Sequence, residues 1–240
     1  MTEVGASTLV DHADDDTKAK MCLALDLDDL VEANRLARSM QPFFGVAKVG
    51  LELYAAAGPD VIGALLDLDY EVFLDLKLHD IPNTVERSSR VIGALGVKYL
   101  TLHAQGGMPM LMAGVQGLAE GAMAAELPAP IAVAVTVLTS DGDAPPHIMP
   151  RRAANAVEAG CGGIVCAAED LADARQVAPR LLRVVPGIRP AGSPEHDQAR
   201  VSTPRDAVDE GADLLVIGRA ITEADDPVLA ASKIVAEVQA

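Results

Sequence analysis

The sequence predicts an α/β fold, a single (β/α)8 or TIM barrel, and three observations point there. Short apolar runs alternate with longer helix-like stretches through most of the 240 residues, and strands that alternate with helices pair in parallel through right-handed crossovers. No dinucleotide glycine fingerprint follows the first strand, which separates the pattern from a doubly wound sheet. Polar residues gather at the carboxyl ends of the strands, where barrels of this kind carry their active sites.

Taken in order, residues 1–20 are acidic and polar, lack apolar periodicity and read as a flexible N-terminal extension, with the barrel domain expected over 21–240. The first strand, 21–26, closes on Asp26 and leads to a helix over 28–41. The second, 44–49, carries Lys48 at its end and leads to a helix over 51–66. The third, 71–77, bears Asp75 and Lys77, with a helix over 84–96. The fourth, 98–103, ends on His103 before a helix over 107–124. The fifth, 130–138, carries Thr136 and reaches Thr139, with a helix over 150–160. The sixth, 162–166, ends on Cys166 and offers little chemistry before a helix over 168–179. The seventh, 182–186, is followed by Arg189 and a helix over 203–211, opened by Thr203-Pro204. The eighth, 213–217, runs into Gly218-Arg219 and a helix over 219–239. Several of these helices open with Asp, Pro or Thr-Pro at cap positions.

Composition narrows the function. With 19 basic against 35 acidic residues the formal charge is −16, which argues against a general nucleic-acid or anionic-membrane surface while leaving room for an anionic ligand where basic residues converge. Aromatics make up 2% and Trp is absent, so the core must be aliphatic, as in strands covered by helices. Cys22, Cys161 and Cys166 lie in apolar segments without CxxC or metal-like spacing and read as buried free thiols. The N-terminus shows neither a basic nor an apolar signal region, and a cytoplasmic location is expected. Tyr99 to Ala119 carries no Asp, Glu, Lys or Arg, but His103, Gln105, Gly106-Gly107, Pro109 and Gln116 mark it as strand, turn and helix rather than a membrane span.

The third strand organises the rest. In FLDLKLHDIPNT, Phe73 to Thr84, a period of two puts Asp75, Lys77 and His79 on one face and Leu74, Leu76 and Leu78 on the other. Asp80 follows, and Pro82 cannot donate to a ladder, so the strand is expected to end near His79 and turn at Ile81-Pro82-Asn83. Charges on a strand that is apolar on its other face are costly unless they serve chemistry or are paired. Gly218-Arg219, after LLVI, suits a phosphate site, with helix N–H groups and a guanidinium fork at the barrel mouth. The long Gly- and Pro-rich stretch Gly187 to Ser202 has the length of a lid. The histidines have no paired ligand spacing, so no metal site is expected, and His103 reads as a hydrogen-bonded core residue.

From Met21 to Glu237 the chain resembles orotidine 5′-phosphate decarboxylase of the bacterial type. The matching segments are LALD (23–26), VAKVG (46–50), FLDLKLHDIPNT (73–84), LHAQGG (102–107), AVTVLTS (134–140), PGIRP (186–190), DQ (197–198) and VIGRAIT (216–222). The resemblance implies decarboxylation without a cofactor, with Lys77 as proton donor and Asp75 against the substrate carboxylate. It further implies a homodimer in which Asp80 and Thr84 reach the partner's site. Asp26 and Lys48 would hold the ribose hydroxyls, Thr139 would contact the pyrimidine, and Arg189, Gln198, Gly218 and Arg219 would hold the phosphate. Metal-dependent phosphosugar decarboxylases share the shorter D-x-K-x-x-D core, but they are expected to place metal-binding carboxylates where this chain has Lys48. A non-catalytic phosphate-binding barrel would have no need of Asp75, Lys77 and Asp80 together.

Overall fold

A computed structural model of the chain describes residues 12–138, 140–141, 143–190 and 202–240. Within them eight strands close into a parallel barrel in sequence order: β1 (Met21–Leu25), β2 (Val46–Val49), β3 (Glu71–Leu78), β4 (Tyr99–His103), β5 (Ile131–Val135), β6 (Gly163–Val165), β7 (Leu182–Val185) and β8 (Leu214–Ile217), with β8 pairing back onto β1. The alternation of these short strands builds two cores. Inward-facing Cys22, Ala24, Val46, Phe73, Tyr99, Val133, Val184, Leu214 and Val216 fill the barrel. Their neighbours, such as Leu23, Leu25, Ala47, Val72 and Leu74, pack against the helices outside.

The helices around the barrel are α1 (Asp15–Lys20), α2 (Leu30–Met40), α3 (Leu51–Ala57), α4 (Asp60–Leu66), α5 (Pro82–Gly93), α6 (Gly107–Ala124), α7 (Ile148–Glu158), α8 (Leu171–Val177), α9 (Pro204–Asp209), α10 (Arg219–Thr222) and α11 (Pro227–Gln239). Two stretches expected as single helices are each divided by a proline. Gly58, at φ +61°, ends α3, and Pro59 caps α4. Asp226 accepts from the Leu229 amide, and Pro227 opens α11. α5 begins at Pro82 rather than residue 84, because proline at the first helical position loses no internal bond. α5 and α6 pack so closely that a Cβ at Gly117 or Gly121 would collide with the carbonyl oxygens of Glu86 and Arg90.

Of the N-terminal extension expected over residues 1–20, residues 1–11 lie outside the described residues, and the remainder includes a short helix. Asp14 accepts from the Thr17 amide and opens α1, whose Lys18 carbonyl accepts from the Gly45 amide at 2.9 Å. His12 meets Phe43 edge-on, with ring centroids 5.6 Å apart. Lack of apolar periodicity concealed a short helix that is capped by Asp14, buries Thr17 and is bonded to the β2 approach. Among the described residues no helix is long and apolar enough to cross a membrane. Cys22, Cys161 and Cys166 are buried free thiols, and burial pushes the last two up to about 12.

Candidate active site

A row of alternating charges crosses the carboxyl ends of β1, β2 and β3. Lys48 Nζ lies 3.0 Å from Asp26 Oδ1 and 3.8 Å from Asp75 Oδ2, and Lys77 Nζ donates to the same Asp75 oxygen at 2.8 Å. The parallel register sets the first contact, since Lys48 lies opposite Ala24, two residues short of Asp26. Gly50 leaves the room: a Cβ there would stand 3.2 Å from Asp26 Oδ1 and 3.3 Å from Lys48 Nζ. The Asp75 side chain is 14% exposed and that of Lys77 35%, so the carboxylate lies beneath while the ammonium reaches the cavity.

The charges of Asp75 and Lys48 are set by their neighbours. Burial alone would raise the Asp75 carboxyl, but Lys48, Lys77 and hydrogen bonds from Lys77 and Thr101 outweigh it and hold it below the ordinary carboxylate value. Burial works equally against the Lys48 ammonium, yet Asp26 and Asp75 hold it above the ordinary lysine value. Ions taken out of water persist only when paired and hydrogen-bonded, and each member of the row supplies that for the next.

β3 does not keep the simple alternation expected through His79. Its pairing with β4 slips between Leu74 and Leu78, four steps on β3 answering two on β4 from Leu100 to Leu102. Lys77 takes a left-handed backbone, φ +49°, one of three such non-glycine residues among those described. Its amide donates to Thr101 Oγ1 at 2.8 Å, and the same hydroxyl donates to Asp75 Oδ1 at 2.9 Å. Thr101 was not singled out in the sequence; the available signal was a polar residue inside an otherwise apolar strand, opposite the β3 charges.

The cavity, about 560 Å³, is lined by Asp26, Lys48, Asp75 and Lys77 on one side and by Val137, Leu138, Val165, Val184, Pro186 and Ile188 on the other. Arg189, Gly218, Arg219 and Glu223 also line it. Its charged lining therefore holds four cations and three carboxylates, in a chain of net charge −16. Arg189 is buried, and its amide donates to the Ser202 carbonyl at 3.1 Å. Gly187 needs its φ of +79°, and its carbonyl accepts from the Ser202 amide at 3.4 Å, so both ends of the long β7–α9 connection are tied together. Gly218 caps α10, and the first N–H groups of a helix lack internal partners.

Other expected site residues lie elsewhere. Asp80 and Thr84 are exposed and do not line this cavity, and Asp80 Oδ1 accepts from the Ile81 amide at 2.7 Å. Thr139, Gln198 and most of the expected lid fall outside the described residues. Thr136 is fully buried, and its hydroxyl donates to the Val165 carbonyl at 2.7 Å, so it is held by the sheet and does not face the cavity. His103 is half-buried rather than a core residue; its Nδ1 accepts from the Gln105 amide, and its ring stacks on His79 at 5.4 Å. Burial, then His79, Arg152 and Lys77, lower its basicity. No three His, Cys, Asp or Glu side chains converge to hold a metal among the described residues.

Comparison with known proteins agrees with this fold. The model of the orotidine 5′-phosphate decarboxylase / HUMPS family matches residues 19–234. Orotidine 5′-phosphate decarboxylase of Anaeromyxobacter sp. (strain K) is 46% identical over 228 residues, spanning 90% of this chain and 97% of the relative. That of Moorella thermoacetica is 44% identical over 234 residues, spanning 92% and 93%. The crystal structure of orotidine 5′-phosphate decarboxylase from Lactobacillus acidophilus superposes with a TM-score of 0.78 at 34% identity, covering 92% of this chain and 100% of that one. The chain belongs to the orotidine 5′-phosphate decarboxylase / HUMPS family.

Proposed function

We propose that this protein decarboxylates orotidine 5′-phosphate to uridine 5′-phosphate without a cofactor, the last step of pyrimidine nucleotide synthesis. The observation that carries the reading is the Lys77 ammonium held 2.8 Å from the half-buried Asp75 carboxylate in the lining of the cavity. The C6–carboxylate bond breaks, CO₂ leaves, and the electron pair stays on C6. Lys77 then gives that carbon a proton and becomes a neutral amine, which solvent reprotonates. An ammonium about 4 Å from the developing carbanion is worth about 4 kcal/mol at an effective dielectric near 20, a large part of the stabilisation though not all of it. Asp75, kept ionised by Lys48 and Lys77, would face the substrate carboxylate and favour its departure.

The remaining groups follow the same reading. Asp26 and Lys48 hold the ribose hydroxyls, and Thr139 contacts the pyrimidine opposite the apolar wall. Arg189, Gln198, Gly218 and Arg219 take the phosphate, a role supported by the cationic balance of a cavity in an acidic chain. The exposure of Asp80 and Thr84 away from their own cavity supports a homodimer in which each completes the partner's site. Three buried free thiols support a reducing, cytoplasmic setting.

The loss of orotidine 5′-phosphate absorbance tests the reaction directly. Turnover should be equal before and after EDTA, because a cation, Lys48, stands at the end of β2 where a divalent metal would need a carboxylate. Activity abolished by EDTA and restored by Mg²⁺ would instead favour metal-dependent chemistry on a sugar phosphate.

A further inference from the structure

We infer that Thr101 is a positioning residue for the reaction proposed above, setting the backbone of Lys77 and the carboxylate of Asp75 through one hydroxyl. Thr101 sits on β4 and is completely buried. Where the β3–β4 ladder slips, two extra β3 residues stand against the gap between Leu100 and Leu102. The Lys77 amide donates instead to the Thr101 side chain, at 2.8 Å. A buried amide without a partner is costly, so this bond compensates for the interrupted ladder. The left-handed conformation of Lys77, unfavourable for a residue with a Cβ, is tied in place at the same point.

The hydroxyl has one proton, and it goes to Asp75 Oδ1 at 2.9 Å. Asp75 Oδ2 is left to Lys77 at 2.8 Å, with Lys48 at 3.8 Å. Both donor and acceptor capacity of Thr101 are thus used, one on each member of the pair, and the rotor has a single orientation that satisfies both. A carboxylate held by Thr101 on one oxygen and by ammonium groups on the other cannot turn about its Cβ–Cγ bond without breaking contacts. The charged groups that face Asp75 are Lys48 from β2 and Lys77 from β3, with Asp26 behind Lys48; β4 contributes the neutral hydroxyl.

The test compares Thr101→Val, which keeps the shape and removes the hydroxyl, with Thr101→Ser, which keeps the hydroxyl and removes a methyl. Thr101→Val should lower kcat by about tenfold or more with a smaller change in KM, as expected for loss of a hydrogen bond to a charged group that matters in the transition state. Thr101→Ser should stay within about threefold of wild type. In Thr101→Val the Asp75 carboxyl, followed by ¹³C NMR without substrate, should titrate at higher pH than in wild type. Should Thr101→Val not fold, Thr101→Ala against Thr101→Ser gives the same comparison. A serine variant as impaired as the valine or alanine variant would overturn the inference, because the methyl would then matter and not the hydroxyl. An unshifted Asp75 titration would overturn it independently of any activity. If wild type does not consume orotidine 5′-phosphate, the proposed reaction fails, and the NMR titration still decides the role of Thr101.

Discussion

Lys77 Nζ donates to Asp75 Oδ2 across 2.8 Å, and the backbone of Lys77, at φ +49°, lies in the left-handed region. The ion pair therefore rests on a bulged, conformationally costly segment of β3, a pattern common where structure serves chemistry.

That cost makes a stability prediction. Lys77→Ala should fold, because the ammonium end of Lys77 reaches the cavity, but it keeps a Cβ in the left-handed region. Lys77→Gly removes that Cβ and should be more stable than Lys77→Ala by about 1 kcal/mol. Urea denaturation of the two variants reads the difference; a glycine variant less stable than the alanine one would place the strain elsewhere.

Asp75 gives a pH dependence whose sign is fixed. Its folded carboxyl is held below the ordinary value of 3.8 by Lys48 and Lys77 against the opposing effect of burial. The stability it contributes is fully present above the unfolded carboxyl value and is lost as pH falls through the folded one. The stability gap between wild type and Asp75→Asn, measured by urea denaturation, should be constant from pH 5 to 7 and shrink below about pH 4. A gap that widens on acidification would contradict the charge assignment.

Asp80 and Thr84 do not line their own cavity, so complementation tests the proposal that each completes the site of a partner subunit. Lys77→Ala and Asp80→Ala proteins should each be inactive alone. After subunit exchange at equal amounts, half of the dimers are mixed and one site in each is intact, so roughly a quarter of wild-type activity should return. No recovery after verified exchange would return Asp80 to its own subunit's site.

Arg219, beside the Gly218 cap of α10, tests the phosphate end. Arg219→Ala should cost about 3 kcal/mol in kcat/KM for orotidine 5′-phosphate and change little for orotidine itself, which gives the guanidinium nothing to grip. Equal losses on both substrates would make Arg219 a structural residue.

Much of this arrangement was legible in the chain. The eight apolar runs and their order appear in the barrel as expected, because each is a local pattern of period two followed by a helix. Asp26, Lys48, Asp75 and Lys77 were readable as charges at strand ends, and the barrel brings them into one row. What stayed hidden depends on neighbours. The slip that leaves the Lys77 amide to Thr101 is a property of β3 and β4 together. Thr136, polar at the end of its strand, is held by a carbonyl of β6 that no local pattern reveals. α1 was missed because its short span is held by a capping aspartate and a bond to the Gly45 amide.

The central claim is that Lys77 delivers the proton that replaces the carboxylate at C6. The most direct measurement is turnover of orotidine 5′-phosphate in D₂O by EDTA-treated wild type and by Lys77→Ala, with the product examined by NMR. Wild type should form uridine 5′-phosphate carrying deuterium at C6, and Lys77→Ala should be slower by at least about 1000-fold, as expected when a proton donor and its charge are lost together. Deuterated product formed by Lys77→Ala at more than a few per cent of the wild-type rate would contradict the account.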